Sequence, residues 1–124
     1  MPISKIILQR IRWTRPDSIT VRRHRNRIIR IVTAIETEFP RVRYPEQIRL
    51  SHLKWIQSCY YSDIDIGEVT QVNWNESLKI LVRALHQQDN WYYSLFDVHP
   101  NVDVGRKLNV SIVRSAKYNR RRMS

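Results

Sequence analysis

Residues 17–40 read DSITVRRHRNRIIRIVTAIETEFP, and the spacing of their apolar side chains decides the fold class. Asp17 or Ser18 can cap a helix, Val21, Ile28, Ile31, Val32, Ile35 and Phe39 recur at helical intervals, and Pro40 stops the run. At about 100° per residue those side chains gather on one side of the helix. Arg22, Arg23, Asn26, Arg27 and Arg30 then point away from it, with Arg25 at the flank, so the arginines form a face. His24 falls at the edge of the apolar side with no second histidine one turn away. It is expected as a partly buried, hydrogen-bonded ring and not as a metal ligand. A run of charge like this is most often a solvated surface, and the rest of the chain has to decide what it touches.

Downstream, PRVRYPEQIRL is a loop stiffened by Pro40 and Pro45. Ser51 can cap a second helix, HLKWIQSCYY, which buries Leu53, Ile56 and Tyr60 and leaves Lys54 and Gln57 exposed. SDIDIGE reads as an acidic turn, and Thr70 or Asn73 can begin a third helix running to about His86. Trp74, Leu78, Leu81, Val82 and Leu85 make its stripe, with Lys79 and Arg83 one turn apart on the opposite face. QQDNWYYSLFD suits a short fourth helix that closes the core. In the pairs Tyr60/Tyr61 and Tyr92/Tyr93, one ring is expected inside and one outside.

The chain ends read differently. Residues 1–16 alternate irregularly between apolar and basic side chains up to Pro16, which suggests a basic arm or short strand. KLNVSIVRS is rich in β-branched residues and reads as a strand whose plausible partner is the N-terminal KIILQRIRW, paired antiparallel. The expected division is an arm over 1–16, a helical domain over 17–105, and a strand-like segment with a basic tail over 106–124. The fold class is mainly α, a small bundle of three to four helices, beside which a two-strand pairing of the chain ends can stand.

With 124 residues the chain can build one modest core and not two. Its net charge of +11 is unevenly placed: +9 over residues 1–54, −5 over 55–105 and +7 over 106–124. Separated basic and acidic zones suggest one face for a polyanion, nucleic acid foremost, and a protein partner for residues 55–105. Cys59 is the single cysteine and cannot form an internal disulfide. It is expected as a small buried thiol in a reducing cytoplasm. No segment reaches the apolar length of a membrane span, so no membrane association is expected.

Catalytic constellations are missing from the pattern. His24, His52, His86 and His99 are scattered, without the spacing of zinc ligands. Asp63, Asp65 and Glu68 lack the remaining ligands of a calcium loop, and two glycines leave no phosphate-cradling loop. The expectation is a non-enzyme with no metal, cofactor or small-molecule substrate.

The order RRHRNRIIRIVTAI, LSHLKWIQSCY, VTQVNWNESLKILVRAL resembles the N-terminal core-binding, SAM-like domain of tyrosine recombinases, the phage and mobile-element integrases. The resemblance covers roughly residues 20–90. His52 to Tyr60 would match that family's His-x-x-x-hydrophobic-x-x-x-Tyr/Trp helix, and Thr70 to Leu85 its Thr-led, leucine-rich one. It implies a clamp over duplex DNA. The catalytic arginines, lysine, histidine and tyrosine of the family's larger domain have no counterpart here, and Tyr118 lacks that surrounding set.

The leading expectation is therefore a non-catalytic, duplex-DNA-binding module, an accessory or regulatory protein of a mobile element or phage. Its candidate contacts are Arg22, Arg23, Arg25, Asn26, Arg27, Arg30, Lys54, Lys79, Arg83, Arg120, Arg121 and Arg122. Two alternatives stay open: an RNA-binding structural subunit of a ribonucleoprotein, and a protein-binding inhibitor or adaptor that uses the acidic middle.

Overall fold

The computed structural model describes residues 2–100 and 110–112. The elements, in order, are α1 (Ile3–Gln9), β1 (Ile11–Trp13), α2 (Ile19–Glu38), a 3₁₀ turn (Pro45–Gln47), α3 (Leu50–Trp55), a π turn (Ile56–Tyr60), α4 (Tyr61–Asp63), α5 (Glu68–Ala84), α6 (Gln88–Phe96) and β2 (Val110–Ile112). The protein is mainly helical, a small bundle, as expected. Among the described residues no helix is long and apolar enough to cross a membrane.

Helix α2 forms where its pattern places it. The Ser18 hydroxyl accepts a hydrogen bond from the Val21 amide at 3.1 Å, and the helix ends at Glu38, just before Phe39 and Pro40. Val21, Ile28, Ile31, Val32 and Ile35 are buried, the last four completely. Against this stripe packs α5, whose Trp74, Leu78, Leu81, Val82 and Leu85 are all buried. Contacts of His24 with Ser77, and of Arg27 with Asn73 and Ser77, show that α2 and α5 run antiparallel. Helix α5 is also apolar off its stripe: Ile80 and Ala84 are fully buried, because α1 covers its far side.

That covering is the first departure from expectation. Residues 1–16 are not an arm: Ile3 and Ile7, one helical turn apart, are buried in the common core, and α1 lies against α2 and α5. The arginine after it, Arg10, donates to the Ala84 carbonyl at 3.2 Å and pairs with Glu46 at 2.5 Å. A cation thus satisfies an orphan carbonyl at the negative end of α5. The periodicity of seven residues is too short to separate a helix from a strand, and only their burial decides. The strand expectation holds over three residues: Ile11, Arg12 and Trp13 pair antiparallel with Ile112, Ser111 and Val110.

The second departure lies in HLKWIQSCYY. The Tyr61 amide reaches the Ile56 carbonyl, five residues back, so the helix carries one wide turn. The extra residue moves the inward position after Ile56 from Tyr60 to Tyr61, which is 2% exposed, while Tyr60 is half-buried and Cys59 is exposed. The thiol is therefore not the buried one expected. Gln57 is not on the surface either: its amide nitrogen donates to the Leu95 carbonyl at 2.9 Å and to Asn75 Oδ1 at 3.3 Å, tying α5 and α6 to the turn. Tyr61 donates to the same Asn75 oxygen at 2.9 Å.

Helix boundaries differ by a few residues from the capping signals. The start of α3 is held by His52, whose Nδ1 accepts from the Arg49 amide at 2.9 Å, and not by Ser51. Helix α5 begins at Glu68, so Thr70 and Asn73 lie inside it. It ends in a Schellman arrangement, with Gln87 N–H on the Val82 carbonyl, His86 N–H on that of Arg83, and His86 left-handed at φ 59°. Helix α6 closes the core through Tyr92 and Leu95, with Tyr93 outside at 58% exposed, as the pairing of inward and outward rings requires.

Candidate nucleic-acid interface

The twelve residues singled out from the sequence do not stay together. Arg22, Arg23, Arg25 and Asn26 are exposed on the first turns of α2. Among the described residues no carboxylate pairs with the three arginines. Arg27 is half-buried and turned toward α5, where its guanidinium donates to Ser77 Oγ at 3.4 Å and to the Asn73 carbonyl at 3.5 Å. Burial, and Arg23 beside it, lower its pKa. Arg30 lies over the Trp74 ring, 5.1 Å from the centroid, while remaining exposed at its edge.

Lys79 and Arg83 do not form a basic surface. Lys79 pairs with Glu76 at 2.9 Å and sits over the rings of Tyr92 and Phe96, with its side chain 13% exposed. Arg83 donates to the Pro100 carbonyl at 3.1 Å and stacks over Tyr92 at 5.1 Å. Helix α6 covers the face of α5 that its periodicity leaves polar, and long cationic side chains pack there along their stems. Lys54 is exposed on α3. Arg120, Arg121 and Arg122 lie outside the described residues.

The exposed arginines stand at the electrostatically unfavourable end of their helix. The first turn of α2 holds no acid and the last turn no base, while Glu36 and Glu38 occupy the C-terminal end. Both choices oppose the macrodipole, whose positive pole is at the N-terminus. A bound polyanion would relieve that opposition.

His24 lies buried between this face and the core. It is 9% exposed, with Nδ1 2.8 Å from Ser77 Oγ and its ring stacked on Trp13 at 6.3 Å. Burial, and then Arg27, hold its pKa below the usual histidine value, opposed by Glu76. This is the hydrogen-bonded ring expected from the sequence. His52 is likewise lowered, by burial and by Arg49.

An open groove of about 460 Å³ runs beside α2, lined by Ile29, Arg30, Thr33, Trp55, Tyr60 and Asp63. Glu38 also borders it, so its carboxylates disfavour phosphate. Among the described residues no group of three or more histidine, cysteine or acidic side chains could hold a metal ion. Comparison with known proteins finds no matching family model, no similar curated protein and no similar solved structure.

Proposed function

We infer that the protein is a non-catalytic nucleic-acid-binding module whose ligand is duplex DNA, and that it serves as an accessory protein in the recombination of a mobile element or phage. One observation carries the binding reading: Arg22, Arg23 and Arg25 are exposed, without a carboxylate partner among the described residues, at the positive end of α2. Charge-assisted contacts from such a cluster to successive phosphates release counterions, so affinity falls with salt. Asn26 beside them can address a base edge. The recombination role rests on the helix order that resembles the integrase core-binding domain.

The test is fluorescence anisotropy against duplex DNA, single-stranded DNA and structured RNA of equal length, each titrated across salt. Three phosphate contacts give a log–log salt slope of about −3 on duplex DNA. The variant R22E/R23E/R25E is expected to lose duplex binding and that slope. Arg27 and Arg30 are left intact because both brace α5. Equal weak binding of all three ligands, unchanged in the variant, would sink the reading and leave the arginines as a solvated face. Preference for structured RNA would favour a ribonucleoprotein subunit.

A protein partner is the second reading, and a different observation favours it. Val69 is 81% and Val72 60% exposed at the start of α5, beside the exposed Asp63, Asp65 and Glu68. An apolar pair rimmed by acids suits a basic protein surface.

A further inference from the structure

The loop between α2 and α3 carries a second concentration of exposed cations, Arg41, Arg43 and Arg49, and between them in the chain an exposed aromatic ring, Tyr44 at 60%. It is an unusually fixed loop. Val42, Pro45 and Ile48 are buried and alternate with the outward residues, so the chain is pinned to the core at three points. Six of its backbone N–H groups are bonded locally. Val42 N–H bonds the Phe39 carbonyl at 2.9 Å, and Gln47 Oε1 accepts from both Arg43 N–H at 2.6 Å and Tyr44 N–H at 3.2 Å. Gln47 N–H and Ile48 N–H close the 3₁₀ turn on the carbonyls of Tyr44 and Pro45, and the Arg49 amide is held by His52. The loop's one acid, Glu46, is engaged by Arg10.

A core-pinned loop that holds a tyrosine in water has left a large ring unburied, although apolar burial is what stabilises a chain of this size. Arginines on either side of an exposed ring are the elements by which an unpaired nucleotide is held, the base on the aromatic face and the phosphates on the cations. Rigidity adds to this, since a preorganised loop loses little entropy on binding.

We propose that Arg41, Arg43, Tyr44 and Arg49 form a second contact that takes an unpaired nucleotide of a single strand, stacked on Tyr44, separate from the duplex contact on α2. The two zones lie at opposite ends of a 20-residue helix, roughly 25 Å apart along its axis. Glu36 and Glu38 lie between them and discourage a duplex from running continuously across both. The ligand that engages both is then a duplex carrying a single-stranded extension. The proposal rests on the nucleic-acid reading but not on the α2 arginines.

The experiment measures affinity of the intact protein for a blunt duplex, for the same duplex with a single-stranded extension of about eight nucleotides, long enough for the gap, and for that strand alone. Tyr44 is exposed, so its substitution leaves the core and the net charge unchanged. The extension is expected to tighten binding on the order of tenfold, a single stacked base. Y44A should abolish the gain and Y44F keep it, while both leave blunt-duplex affinity at the parent value. An extension that adds nothing, or a gain that survives in Y44A, overturns the proposal. Failure of the blunt duplex to bind would count against the α2 reading only, and the single strand with the same two variants then decides the loop. A gain lost equally in Y44F and Y44A would also overturn stacking, since it would assign the effect to the hydroxyl.

Discussion

Two histidines are expected to make stability depend on pH. In His52, Nδ1 accepts the Arg49 amide hydrogen bond, so protonation removes the acceptor that starts α3. In His24, protonation places a cation at 9% exposure beside Arg27. Both folded-state pKa values are lowered from 6.5, so as pH falls the unfolded chain takes up protons first. Stability is expected to be fully present above about pH 6.5 and to decline below it. Thermal unfolding at pH 7.5 and 5.5 checks this. In H52Q, where glutamine can cap in the same position without titrating, the loss should be smaller. The α2 arginines give the opposite kind of prediction: R22E is expected to stabilise the fold by a few tenths to about 1 kcal/mol by complementing the helix dipole, while weakening duplex binding. A variant that loses both stability and binding would make Arg22 a structural residue.

Among the elements, α1 separates the two readings of the N-terminus most sharply. If residues 1–16 were an arm, truncating Ile7 would be silent. With Ile7 fully buried among the core residues, I7A is expected to cost about 2–5 kcal/mol in denaturant unfolding, through lost transfer energy and the cavity left behind. The π turn makes a subtler prediction. Tyr61 is buried and donates to Asn75, its phenol pushed up in pKa by burial. Y61F is expected to cost about 1 kcal/mol, whereas Y60F, at the half-exposed position, should be near neutral.

Across the whole molecule, the basic side chains divide into those available to a ligand and those used in packing, and sequence spacing does not tell them apart. Arg83, bonded to the Pro100 carbonyl and stacked on Tyr92, belongs to the second group. R83M is expected to lower stability by about 1–3 kcal/mol and to leave duplex affinity within about twofold, where R22E/R23E/R25E does the reverse. Measuring unfolding and anisotropy on the same two variants tests that division.

What the sequence determined is what depends on neighbours along the chain. The α2 stripe, its Ser18 start and Pro40 stop, the α5 stripe from Trp74 to Leu85, and the rule that each tyrosine pair sends only one ring inward follow from a helical period that any partner surface would have to respect. Even the pairing of the chain ends was legible, because β-branched segments without another strand have only each other. Tertiary structure decided the rest. Ile3 and Ile7 became a core helix because α5 offers an apolar far side. One inserted residue in the π turn exchanged Tyr60 for Tyr61 and put Cys59 outside. The candidate site was thinned for the same reason: Arg22, Arg23, Arg25 and Asn26 keep their water, while Arg27 meets Ser77, and Lys79 and Arg83 lie over Tyr92, across helix interfaces. A charge is free or spent according to what packs over it, and that is settled by contacts between residues far apart in the chain.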